Sequence, residues 1–188
     1  MTARPALASV VEATERRVWR DSWEPAITED SDRGREVRQR VARLADSEQL
    51  KMIGIELGYR YADSPLVLPS SSDPDAADLD RFDYVPSAAP GARLPHVWCG
   101  DGTAMHDHLG WGYALIVVGD WPVDGLQQLV DAFAERAVPF EVVGVRASAA
   151  RSVYEADLVL VRPDLHVAWR GDHLPEDLRG LVAVVTRH

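Results

Sequence analysis

Apolar and polar positions in the first fifty residues follow a helical rhythm. Leu7, Val10, Val11 and Val18 recur at near-helical spacing within residues 6–19, and Glu12, Glu15, Arg16 and Arg17 take the other face. Trp23-Glu24-Pro25 stops that segment, because the residue before a proline is pushed out of the helical region. Val37, Val41 and Leu44 predict a second helix that runs to about residue 52, capped by Asp30 or Ser31. Its apolar stripe is narrow and needs a partner surface. Ile55, Leu57, Tyr59 and Tyr61 then alternate with Glu56, Gly58 and Arg60, which predicts a half-buried strand. Residues 65–69 form an extended piece between prolines, and residues 70–80, SSSDPDAADLD, read as an acidic linker.

From Pro90 the pattern changes to alternating strands and helices. Residues 94–99 predict a short strand, Gly100-Asp101-Gly102-Thr103 a turn, and residues 104–109 a short helix or turn. The continuous apolar run at 113–118, YALIVV, predicts a central strand buried on both faces. Residues 124–137 are amphipathic through Leu126, Leu129, Val130 and Phe133, and residues 140–145 predict another strand. Residues 158–161 and 167–169 flank Arg162-Pro163-Asp164-Leu165 as a hairpin, and residues 177–185 close the chain as a helix or strand. The order β-β-α-β-β-β-α predicts an α/β domain with a mixed sheet flanked by helices, behind an N-terminal helical extension. The expected organisation is a helical extension at 1–52, a strand and acidic linker at 53–89, and the α/β domain at 90–188.

Charge and composition narrow the partners. The 188 residues hold 20 Lys and Arg against 30 Asp and Glu, a net charge of −10. That excess argues against nonspecific binding to nucleic acid or anionic lipid, both of which need a cationic face. A single cysteine excludes an internal disulfide and any zinc site built from several thiolates. No apolar run approaches a membrane span and the N-terminus lacks a signal-like apolar stretch, so a cytoplasmic location is expected.

The densest polar cluster comprises His96, Cys99, Asp101, His106, Asp107 and His108. Their spacing matches no recognised ligand set, and His106 and His108 point apart on a helix. The expectation is therefore loop histidines and one buried thiol, Cys99, that packs as a small hydrophobe at a strand end. No G-x-S-x-G, G-x-G-x-x-G or G-x-x-x-x-G-K-[ST] is present. No catalytic, cofactor-binding or metal-ligating residue is assigned on these grounds. Of the tryptophans, Trp98 and Trp169 fall in predicted strands and are expected in the core, while Trp19 and Trp23 on the outlying helical segment are the candidate interface residues. Asp73, Asp75, Asp78, Asp80 and Asp83 are expected on a solvated loop.

Three blocks together resemble a known family. They are residues 90–98 with Asp101-Gly102-Thr103, His106-Asp107, Leu109-Gly110 and Gly112-Tyr113; the run from Leu160 to Gly171; and residues 56–61 with Ser64-Pro65-Leu66-Val67. They look like the C-terminal domain of flavin-dependent aromatic-ring hydroxylases, the phenol hydroxylase and 3-(3-hydroxyphenyl)propionate hydroxylase type of class A monooxygenase. The likeness is strong from Leu57 onward and loose before it. It implies a thioredoxin-like fold and a noncatalytic role in subunit contact or support of the flavin-binding part. A working thioredoxin carries C-x-x-C after its central strand, at a helix N-terminus, and a cis-proline before its hairpin. Here those places read Asp120-Trp121-Pro122-Val123 and Glu155-Ala156-Asp157. The family's FAD-binding motifs have no counterpart in the chain. The resemblance therefore implies a redox-silent module that holds no cofactor itself and meets FAD and NAD(P)H only through a partner flavoprotein, or pairs with a second copy. The alternative is one part of a split or truncated hydroxylase whose activity needs a separate flavin-binding chain.

Overall fold

A computed structural model of the chain describes residues 20, 23–45, 53–68, 83–119, 122–146 and 148–187. Their contacts separate into two units. One holds the described residues up to Ile53 together with Asp83, and the other holds those from Gly54 to Leu68 and from Tyr84 onward.

In the first unit a 3-10 turn, Pro25–Thr28, leads to helix α1, Asp32–Ala45. Proline suits the start of the turn, where its missing N–H would find no intrahelical partner. Ser31 Oγ accepts from the Gly34 N–H at 3.1 Å, so the serine caps α1 as its position predicts. The Arg38 guanidinium donates to the carbonyls of Ile27 at 2.7 Å and Glu29 at 2.9 Å. Arg33 donates to Glu24 at 2.8 Å, and Arg40 donates to the same carboxylate. Val37 is fully buried. The helix predicted at 6–19, the continuation of α1 through 46–52 and the acidic linker at 70–80 lie outside the described residues.

Helix α2, Ile53–Gly58, follows in the chain. The four strands of the second unit are β1 (Tyr113–Val118), β2 (Phe140–Val145), β3 (Leu158–Val161) and β4 (Val167–Gly171). They lie in the order β2-β1-β3-β4. β1 and β2 run parallel, while β1–β3 and β3–β4 are antiparallel. The helices between and after them are α3 (Leu126–Ala134), α4 (Ser148–Tyr154) and α5 (Leu178–Thr186). This β-α-β-α-β-β-α order, with a parallel first pair and an antiparallel second, is the thioredoxin-like arrangement that the resemblance implied.

The two-residue period of β1 sorts its side chains between two cores. Leu115 and Val117 join Leu160 of β3, Leu129 and Phe133 of α3 and Leu181 of α5. Ile116 and Val118 join Val159, Tyr154 of α4 and the loop residues Leu94 and Met105. A strand covered on both faces has no solvent side, which is why its sequence shows no polar alternation. Phe133 and Phe140 stack with ring centroids 4.3 Å apart. Asp177 caps α5, its carboxylate accepting from the Gly180 N–H at 2.8 Å.

The segment before β1 is bonded to the hairpin rather than threaded through the sheet. Tyr61 N–H donates to the Gly91 carbonyl at 2.8 Å, and Gly91 N–H donates to Val167 at 2.7 Å. Leu94 N–H donates to Leu165 at 2.8 Å, and Leu68 N–H to Ala168 at 2.9 Å.

Four expectations need correction. Residues 53–58 are a helix, not part of a strand: residues four apart share a face in both periodicities, so Ile53 and Leu57 satisfy either template. Residues 94–99 form no ladder and hold one isolated bridge, Trp98 with Ala104; Pro95 has no N–H to give to a ladder. Helix α4 has no counterpart in the expected order, because its seven residues show little more than the buried pair Ala150 and Tyr154. Trp98 was expected in the core and is 63% exposed. Trp169 does pack against the α3–α5 core.

Candidate functional site

β1 hands the chain to α3 on one face of the sheet, and β2 hands it to α4 on the other. Adjacent parallel strands whose connections leave on opposite faces open a crevice outside their carboxyl ends. A cleft of about 360 Å³ lies there, lined by Gly119 after β1, by Gly144 and Arg146 at the end of β2, and by Cys99, Asp101 and His108 from the preceding loop. Gly119 is bonded to the end of β2 through its N–H and the Val145 carbonyl at 3.0 Å.

The loop is built around Thr103. The turn over residues 99–103 is closed by Cys99 N–H to the Thr103 carbonyl at 2.8 Å and Gly102 N–H to the Cys99 carbonyl at 2.9 Å. Gly102 takes φ +83°, a region costly for residues with a Cβ. The Asp101 carboxylate accepts from the Thr103 N–H at 3.0 Å and from its hydroxyl at 2.6 Å. The hydroxyl has one proton, and it is given to Asp101. Its oxygen therefore accepts from His108 Nε2. The Thr103 hydroxyl and N–H hold the Asp101 carboxyl below the usual range, and His108 adds to the effect. One donor atom each from Cys99, Asp101 and His108 lies within 4.8 Å of the others.

The six-residue polar cluster thus divides. Cys99, Asp101 and His108 converge, and the thiol packs against the core as expected but is half-buried at the cleft rather than fully enclosed. His106, on the 3-10 turn Met105–His108, stacks on His96 at 5.9 Å, and its buried Nε2 has no hydrogen-bond partner among the described residues. Burial pushes the His106 imidazole below its ordinary value, helped by Arg93 and His96. Asp107 is exposed on the turn. Spacing alone did not reveal the convergence, because it depends on the tight turn that folds residue 108 back onto residues 99–101. The signal that was present is Asp-x-Thr, a short acceptor two residues ahead of its donor.

Flavin does not fit this site. The donors that converge are a thiol, a carboxylate and an imidazole, and Asp101 would oppose a pyrophosphate. Residues 119–125, between β1 and α3, do not carry the G-x-G-x-x-G pattern. A second groove of about 670 Å³, between α3 and α5, is acidic through Asp124, Asp131, Glu135 and Asp177. Of the candidate interface residues, Trp23 is 66% exposed and Trp19 lies outside the described residues. Trp98 and Trp111 are exposed in the second unit. Among the described residues no helix is long and apolar enough to cross a membrane.

Comparison with known proteins identifies the family. The sequence profile of the aromatic-ring hydroxylase C-terminal domain matches residues 87–188. The FAD-dependent monooxygenase apdD of Emericella nidulans is 37% identical over 125 residues, 64% of this chain and 20% of that protein. The tetracenomycin A2 monooxygenase-dioxygenase of Streptomyces glaucescens is 30% identical over 170 residues, 73% of this chain and 27% of that protein. Among solved structures, the native and K252c-bound RebC-10x is 38% identical with a TM-score of 0.67, covering 97% of this chain and 35% of that one. The flavin-dependent monooxygenase PieE, in complex with FAD and substrate, is 28% identical with a TM-score of 0.58, covering 86% of this chain and 31% of that one. The chain spans about a fifth to a quarter of the first curated relatives it matches. With its fold, its sequence blocks and these matches in agreement, the chain belongs to the aromatic-ring hydroxylase C-terminal domain family of the FAD-dependent monooxygenases.

Proposed function

We propose that this chain is a noncatalytic, redox-silent module that supports a flavoprotein monooxygenase, through contact with a flavin-binding partner or with a second copy of itself. One observation carries the reading. After the central strand of this thioredoxin-like sheet, where a disulfide oxidoreductase keeps two thiols, residues 120–123 read Asp-Trp-Pro-Val. The chain has one cysteine, and the intramolecular disulfide that a dithiol oxidoreductase cycles through needs two. FAD and NAD(P)H would act in the partner. Trp19 and Trp23 are the residues proposed for the contact, since tryptophan offers large area and one N–H donor. The half-buried free thiol of Cys99 suits the reducing cytoplasm.

A second reading is one part of a split hydroxylase. It is favoured by the curated relatives, which are named as monooxygenases and are several times longer than the stretch matched here. Both readings are tested by mixing the chain with a flavoprotein subunit that carries the missing G-x-G-x-x-G. Co-sedimentation that weakens on Trp23→Ala supports the module, and hydroxylation that appears only in the mixture supports the split enzyme. A strictly monomeric chain that ignores the flavoprotein opposes both.

A further inference from the structure

We propose that the cleft at the carboxyl ends of β1 and β2 is a binding site for a thiophilic divalent cation of the zinc class, held by Cys99, Asp101 and His108. The inference is independent of the supporting role proposed above. Three observations converge on it. The donor set is sulfur, imidazole nitrogen and carboxylate oxygen, the three ligand types that zinc takes from proteins. The donor atoms lie within 4.8 Å of one another, so modest side-chain rotation brings them to the edge of a tetrahedron of zinc–ligand bonds. The trio also lines a crevice whose position follows from strand topology, at the end of a parallel pair where α/β sheets bind ligands.

The surroundings of His108 add to this. Metal-bound histidines characteristically spend their second ring nitrogen on a fixed hydrogen bond, which sets the tautomer and aims the other nitrogen. Here Thr103 makes that bond to Nε2, and the same hydroxyl anchors the Asp101 carboxylate. Thr103 is thus a positioning residue for two of the three ligands. Gly100, Gly119 and Gly144 contribute no side chains to the cleft, and Arg146 is the cationic residue in its lining, so the Asp101 carboxylate and the Cys99 thiolate would have to offset its charge, and a fourth ligand would be water or an anion. Binding releases the Cys99 thiol proton to solvent and requires no redox partner.

The test uses the full chain without an affinity tag, stripped with chelator and titrated with Co²⁺, then with Zn²⁺ in competition. The expected result is a thiolate-to-cobalt charge-transfer band in the near ultraviolet with tetrahedral visible bands, one equivalent per chain, displaced by Zn²⁺. Cys99→Ser should abolish the charge-transfer band. Thr103→Val, which contributes no ligand atom, should weaken binding about 10–100-fold with unchanged far-ultraviolet circular dichroism. A wild-type titration without the band overturns the proposal. So does binding that Cys99→Ser and His108→Ala both leave at wild-type strength.

Discussion

The ring of Tyr61 lies 5.1 Å from that of His166, tilted by 59°. Tyr59 completes the group, 5.3 Å from Tyr61 and 5.5 Å from His166. The contact joins the segment after α2 to the turn of the terminal hairpin, more than 100 residues further along the chain. His166 is buried, and its Nδ1 faces the Asp164 carbonyl at 2.9 Å. Two of the sequence blocks that carried the family resemblance are therefore parts of one physical contact. Tyr61→Ala should cost about 0.5–1.5 kcal/mol beyond its lost area, the usual worth of an aromatic pair. Urea unfolding of the variant against wild type reads this directly, and an unchanged midpoint would mean that the segment does not hold the hairpin.

Gly91 is the backbone hinge of the same junction. Its φ is +90°, and a Cβ there would stand 2.7 Å from the Tyr61 carbonyl carbon. Gly91→Ala meets both strain and a clash with backbone, so a loss of more than about 1 kcal/mol is expected. The melting temperature should fall by several degrees, whereas Gly102→Ala, with open space around it, suffers the positive φ alone.

Phe133 anchors the α3 side of the sheet, fully buried between Tyr113 at 5.4 Å and Phe140 at 4.3 Å. Phe133→Ala should cost about 3–5 kcal/mol, through lost burial and the cavity left behind. Trp111→Ala, at a site 96% exposed, should stay within about 0.5 kcal/mol. Comparison of the two by denaturant unfolding separates the core from the surface aromatics.

His106 makes stability depend on pH. Desolvation lowers its folded-state pKa beneath its unfolded value of about 6.5. The contribution is fully present above that unfolded pKa and is lost as pH falls through the folded one, because the unfolded chain takes up a proton that the folded chain refuses. Unfolding free energy should therefore drop between pH 7 and pH 5, and His106→Gln should flatten that limb. A variant with the same acid slope as wild type would place the titration elsewhere.

The parts of the fold that were legible in the sequence are those where one periodicity excludes the other. The run from Tyr113 to Val118 is too apolar for a surface strand, and the i, i+3, i+7 series Leu126, Leu129 and Phe133 fits only a helix. Ile53 to Gly58 was not legible because its apolar pair satisfies both periods, and α4 because helix-forming residues in so short a run carry little pattern. The site was half legible. Cys99, Asp101 and His108 stood out as chemistry, but their meeting depends on a hydroxyl, Thr103, that no ligand spacing includes.

On the function proposed for it, this thioredoxin-like chain keeps the family's C-terminal scaffold without its electron-carrying groups. Incubation with excess oxidised FAD, followed by gel filtration and an absorbance spectrum of the protein peak, tests it. A colourless peak with no flavin bands is the expected result. A yellow peak with one FAD per chain would contradict it.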